Sequence, residues 1–173
     1  MKQVDKARGE DVRPKRHMSW EEYGRLEARL VDAVTSHLAS HEEKIDMVLG
    51  IFRGGLVIAR SFVSRLNEVP LGIFHPRNGT PSRPTCMADE DIYCIPEQRR
   101  AGMTVLLVDD ISDTGRTFES LKHMLEGLGF RRVYTAAIIL KTYTSFVPDF
   151  FAEKDPSHDW IVFPWEETQP GHQ

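Results

Sequence analysis

The stretch VLLVDDISDTGRTFES, residues 105–120, constrains the fold more than any other part of the chain. Residues 103–108 are all apolar or threonine, the pattern of a strand buried on both faces. Three aspartates then fall within five residues, followed by Gly115 and a helical pattern over 117–129 that closes on glycines. A buried strand that passes through a glycine turn into a helix is half of a β-α-β unit, so a parallel sheet is expected.

The same alternation recurs along the chain. Ser19 and Glu22 form a capping-box pattern, with Trp20, Tyr23, Leu26, Leu30, Val34 and Leu38 following at helical spacing. Strands are expected at 45–51, 69–75 and 133–140, a helix at 56–66 after the glycine pair 54–55, and short β-like pieces in DFFA and WIVF. Residues 76–101 carry prolines at 76, 81, 84 and 96 and read as a long loop with a short strand near IYCI. A loop of that length in a compact domain usually has a function. The expected class is α/β, a mostly parallel twisted sheet flanked by helices.

The size of the chain, 173 residues, suits one domain with a real core, taken as 18–173. A net charge of −4 gives no general reason to expect nucleic acid or a membrane. Residues 1–17 hold six Lys/Arg against three Asp/Glu and no apolar core, so they read as an arm, disordered or making an oligomer or partner contact. Cys86 and Cys94 lack metal-ligand spacing and read as ordinary thiols of a cytoplasmic protein.

If 103–108 is a parallel strand, Asp109 and Asp110 lie just beyond its carboxyl end, where open α/β sheets bind ligands. The following loop offers backbone N–H groups at a helix start, the hydroxyls of Thr114 and Thr117, the cation of Arg116, and Gly115 for close approach. An anion cradle beside a carboxylate cluster suits a ligand with a phosphate at one end and hydroxyls or Mg²⁺ at the other. The plainer alternative is that the aspartates are solvated or cap the helix.

VLLVDDISDTGRT resembles the phosphoribosyl-pyrophosphate (PRPP) motif of type I phosphoribosyltransferases, over all thirteen positions. GIFRGG (50–55) is similar to that family's pyrophosphate loop. WIVFPWE (160–166) is similar to the base-binding segment of bacterial and archaeal 6-oxopurine salvage enzymes. SWEEY resembles their opening, and the likeness runs over about residues 18–167.

The resemblance implies an Mg²⁺-dependent transfer of phosphoribosyl from PRPP to hypoxanthine, guanine or xanthine. It implies that Asp109 and Asp110 hold the ribose hydroxyls directly or through Mg²⁺, and that 113–117 (Asp113, Thr114, Gly115, Arg116, Thr117) cradles the 5′-phosphate. Arg53 and Gly54 meet pyrophosphate, with the Phe52–Arg53 peptide often cis in relatives. Asp113 is the implied general base facing purine N7; adenine enzymes typically carry alanine there. Lys141 bonds O6, Trp160 stacks on the base, and Ile161 offers backbone groups at C2. Glu166 is implied as a contact to a second Mg²⁺, although relatives often have aspartate there. Residues 76–101 become a flexible hood, with Arg77 or Arg83 as candidate pyrophosphate clamps. Relatives are commonly dimers or tetramers.

Two other readings stay open. A regulator of the same fold would sense PRPP or nucleotide and bind nucleic acid. Asp113, Lys141 and WIVFPWE oppose it, as does the acidic net charge, while the basic arm favours it. The other is a transferase acting on a different acceptor base.

Overall fold

A computed structural model of the chain describes residues 13–74, 85–86 and 97–166. The elements run β1 (Lys15–His17), α1 (Trp20–Ser40), β2 (Met47–Ile51), α2 (Gly55–Arg65), β3 (Leu71–Phe74), β4 (Thr85–Cys86), α3 (Glu97–Arg100), β5 (Thr104–Ser112), α4 (Arg116–Gly127), β6 (Arg132–Lys141), β7 (Phe150–Asp155) and β8 (Trp160–Val162). The main sheet has the order β4-β3-β2-β5-β6-β7. Its strands from β3 to β7 are parallel, and β4 adds antiparallel to β3. This is the α/β class expected from the alternating pattern.

The period-2 geometry of the strands divides the core in two. Val48, Leu106 and Val108 pack with α1 and α2 on one face, while Met47, Leu49, Val105 and Leu107 pack with Phe118, Leu121 and Leu125 of α4 on the other. Ser19 Oγ accepts the Glu22 backbone N–H at 3.1 Å and starts α1. Trp20, expected on the buried face, is instead 62% exposed, and Val31 joins the core. Trp20 meets Tyr23 edge-on at 6.1 Å.

Two expectations shift. β5 runs past 108 to Ser112, so Asp109 and Asp110 lie within the strand rather than after it. Pairing with β2 stops at Val108, whereas pairing with β6 continues to Ser112. The two aspartates therefore occupy a one-sided strand end beyond β2. Lys15–His17, read from sequence as part of a disordered or oligomer-contacting arm, forms β1 and pairs in parallel with β8. Arg16 anchors it through Glu22 at 2.5 Å and Glu153 at 2.9 Å.

The expected IYCI strand, most of the hood, and Arg77 and Arg83 lie outside the described residues. Among the described residues no helix is long and apolar enough to cross a membrane.

Candidate active site

The carboxyl ends of β2 and β5 enclose a cavity of about 640 Å³. Arg53 and Gly54 line it from the β2–α2 turn, Asp109 and Asp110 from β5, Thr117 from α4, and Trp165 and Glu166 from the segment after β8. The Phe52–Arg53 peptide is cis. Gly54 and Gly55 are required by sterics: a Cβ on Gly54 would overlap the Asp110 carboxylate, and one on Gly55 would overlap the Val108 carbonyl.

Burial raises the Asp109 carboxyl well above its ordinary range, and the neighbouring Asp110 charge adds to this. Asp110 is pushed up to about 6, chiefly by burial, with Glu166 adding repulsion. Among the described residues no three His, Cys, Asp or Glu side chains form a metal-binding group. The adjacent pair Asp109 and Asp110 does supply hard oxygen ligands, and one or two carboxylates suit a Mg²⁺ that arrives with substrate phosphates. A cation there would also offset the repulsion within the pair. The donor set therefore fits.

A smaller pocket of about 220 Å³ shares Asp110 and Glu166 with the first. Asp113, Lys141, Trp160 and Ile161 line it, together with Arg13, Ile111 and Phe163. Trp160 is 38% exposed and Ile161 is buried. Trp160 N–H donates to the Pro14 carbonyl and Met18 N–H to the Val162 carbonyl. Strand alternation turns the N–H and C=O of Ile161 to the opposite edge of β8. Glu166 is fixed by the Phe163 N–H, which donates to Oε2 at 3.1 Å.

Lys141 differs from the expected free donor. Its ammonium donates to Asp155 Oδ2 at 2.8 Å, to the Asp159 carbonyl at 2.8 Å and to the Ser157 carbonyl at 3.1 Å. Three protons thus already have three protein acceptors. Lys141 holds the 155–159 turn that leads into Trp160. Burial works against ionisation of Asp155, but bonds from Lys141 and Ser157 outweigh it and lower its pKa.

The 113–117 loop begins α4. Gly115 is the N-cap at φ 79°, with no side-chain cap bond. The helix's first N–H groups thus remain available to an anion. Ser145 braces the loop, its Oγ donating to the Thr114 carbonyl at 3.0 Å. Asp113 does not cap the helix. Tyr143 Oη donates to Asp113 Oδ1 at 2.6 Å, and Arg13 Nη1 lies 3.9 Å from Oδ2. A third cavity, about 430 Å³, is lined by Asp113, Thr114 and Arg116 of the loop together with Arg13, Tyr143, Ser145 and His158.

Of the residues expected at the site, Arg53, Gly54, Asp109, Asp110 and Thr117 line the first cavity, Asp113, Lys141, Trp160 and Ile161 the second, and Thr114 and Arg116 the third. Asp110 and Glu166 join the first two, Gly115 starts α4, and Arg77 and Arg83 lie outside the described residues. Arg13, Tyr143 and His158 were not expected at the site. Arg13 is one cation among six in the arm, and Tyr143 and His158 are isolated residues near strand ends. Their place depends on tertiary pairing, and nothing periodic marks them.

The sequence profile of the phosphoribosyl transferase domain matches residues 19–169. A xanthine-guanine phosphoribosyltransferase of Idiomarina loihiensis is 28% identical over 154 residues, covering 86% of this chain and 85% of that protein. A ribose-phosphate pyrophosphokinase of Nostoc sp. is 35% identical over 95 residues, or 55% of this chain, which spans only 26% of that protein. The crystal structure of a purine phosphoribosyltransferase from Pyrococcus horikoshii superimposes with a TM-score of 0.66 at 27% identity, over 92% of this chain and 99% of that one.

Proposed function

Because this chain belongs to the phosphoribosyltransferase family, of type I fold, we propose that it is an enzyme that transfers the 5-phosphoribosyl group of PRPP to a 6-oxopurine. The observation that carries this reading is the junction of two pockets at Asp110 and Glu166. One is lined by carboxylates and Arg53, the other by Trp160 and Asp113. A sugar phosphate and a planar base would meet there. The similarity to purine phosphoribosyltransferases over most of both chains supports purine salvage.

In this reading Asp109 and Asp110 accept hydrogen bonds from the ribose hydroxyls and hold Mg²⁺. The metal, when bound, neutralises pyrophosphate charge. The N–H groups at the start of α4, with Thr114 and Thr117, bind the 5′-phosphate. Arg53 and the Gly54 backbone bind pyrophosphate. Trp160 stacks on the base and Ile161 offers backbone groups to its C2 edge.

Purine N9 attacks C1 of the ribose while the C1–O bond to pyrophosphate breaks. The electron pair leaves with pyrophosphate, and Asp113 takes or shares the N7 proton. Lys141 reaches O6 by sharing a proton now given to the 155–159 turn. The family resemblance implies a dimer or tetramer, which light scattering reads directly.

The test is pyrophosphate release from PRPP and Mg²⁺ with hypoxanthine, guanine, xanthine and adenine supplied separately. Release with one or more 6-oxopurines and none with adenine is expected. No release with any of the four would overturn the reading.

A further inference from the structure

Asp113 is gripped from outside the PRPP motif, by two residues far apart in sequence. Tyr143 follows β6, and its hydroxyl donates to Oδ1 at 2.6 Å. Arg13 precedes β1, and its guanidinium stands 3.9 Å from Oδ2. The same guanidinium lies 5.0 Å from the centre of the Trp160 ring. The Arg13 side chain is only 18% exposed, low for an arginine near a chain end.

Both partners are themselves held in place. The Trp160 N–H bonds the Pro14 carbonyl at 2.8 Å, which ties Arg13 to the strand that carries the aromatic wall. Tyr143 stacks on His158 at 4.5 Å with an interplanar angle of 14°. Burial and the Asp113 charge push the Tyr143 hydroxyl up to about 12, so it stays a donor at neutral pH. Asp113, Arg13 and Trp160 all face the smaller pocket, whereas none of them lines the larger one.

We propose that Arg13 and Tyr143 are positioning residues for the acceptor base: they fix the rotation of the Asp113 carboxylate, and Arg13 also sets the Trp160 ring against which the base stacks. This rests on the transfer reaction proposed above. A carboxylate that must meet one proton on a planar ring works in one rotation only, and its own backbone does not select that rotation. Tyr143 claims Oδ1. Oδ2 is then the oxygen left to the base, with the arginine charge beside it. The N-terminal strand is thereby part of the base site rather than an appendage.

The test uses the full chain with PRPP, Mg²⁺ and the 6-oxopurine that supports turnover. Tyr143→Phe removes one hydroxyl, Arg13→Gln one charge, and Arg13→Lys keeps the charge without the planar fork. For Tyr143→Phe and Arg13→Gln, kcat/KM for the base is expected to fall about tenfold or more. KM for PRPP should rise much less than KM for the base: both residues border the third cavity beside Thr114 and Arg116, but neither lines the cavity that holds Arg53, Asp109 and Asp110. Arg13→Lys should recover part of the Arg13→Gln loss. In an Asp113→Ala background, Tyr143→Phe should cost nothing further.

A parallel rise in KM for both substrates would overturn the proposal, as would an equal Tyr143→Phe penalty with Asp113 absent. Pyrophosphate release by the unsubstituted chain separates the two levels. Release with unaffected variants sinks only the positioning role. No release with any base sinks the transfer reading, and this proposal with it.

Discussion

Gly54 lies against Asp110 so closely that a Cβ there would overlap the carboxylate. The contact joins the pyrophosphate-loop resemblance to the acidic pair, two segments more than fifty residues apart in sequence. Gly54→Ala should displace a side chain end rather than backbone, so the fold should survive it. Because a misplacement of about 1 Å can cost roughly a hundredfold, kcat/KM for PRPP is expected to fall by about that factor. The thermal midpoint should change little. Steady-state kinetics and a melting curve on the same sample check both halves.

Asp109 and Asp110 link function to pH-dependent stability. Burial raises both folded-state pKa values, Asp110 from 3.8 to about 6. The folded chain therefore holds protons that the unfolded chain releases. The stability this contributes is full below pH 3.8 and is lost as pH rises through about 6. At pH 7 the ligand-free protein therefore bears the cost of an ionised, buried Asp110 carboxylate. Asp110→Asn should raise the melting midpoint at pH 7 by ~3 °C or more. The gain should shrink at pH 5, and PRPP turnover should collapse. A variant no more stable than the parent at pH 7 would contradict this account.

How much of this was legible in sequence follows from how local each feature is. The strand, the acidic pair and the 113–117 loop are written in one continuous stretch, so their chemistry is visible before any fold is known. Arg13 and Tyr143 are not visible in this way. Their meeting at Asp113 needs β1 to pair with β8 and the turn after β6 to fold back. The end of β5 is hidden in sequence because acidic residues there look like a loop; β6 continues the ladder past them while β2 does not. The family resemblance singles out Lys141, but nothing local in sequence shows the three acceptors that the 155–159 turn provides.

Lys141 is accordingly expected to contribute to stability as well as to the site. Lys141→Met removes a buried ammonium and leaves Asp155, only 4% exposed, without its main partner. Breaking a buried pair from one side costs roughly 3–5 kcal/mol. Urea unfolding should show a loss of that order at pH 7. Asp155 has a lowered folded-state pKa, so its stabilisation is present above the unfolded value and fades as pH falls through the folded one. The difference between parent and variant should therefore narrow in acid. Full stability in the variant would mean that the pair contributes nothing net.

Gly115 and Gly24 make opposite predictions for the same substitution. Gly115 has φ 79°, and a Cβ there would lie 2.5 Å from Thr144 Oγ1 and 2.6 Å from Phe146 Cβ. Strain and overlap coincide, so Gly115→Ala should cost about 1–3 kcal/mol. Relief would come from moving the loop proposed to cradle the 5′-phosphate. Inhibition by a purine 5′-monophosphate should weaken along with stability. Gly24 sits inside α1, and a Cβ added there would meet nothing within 4 Å. Gly24→Ala should gain about 0.5–1 kcal/mol from helix propensity alone and leave inhibition unchanged. If Gly115→Ala lost stability but kept its inhibition constant, the loop would be a structural turn and not the phosphate cradle.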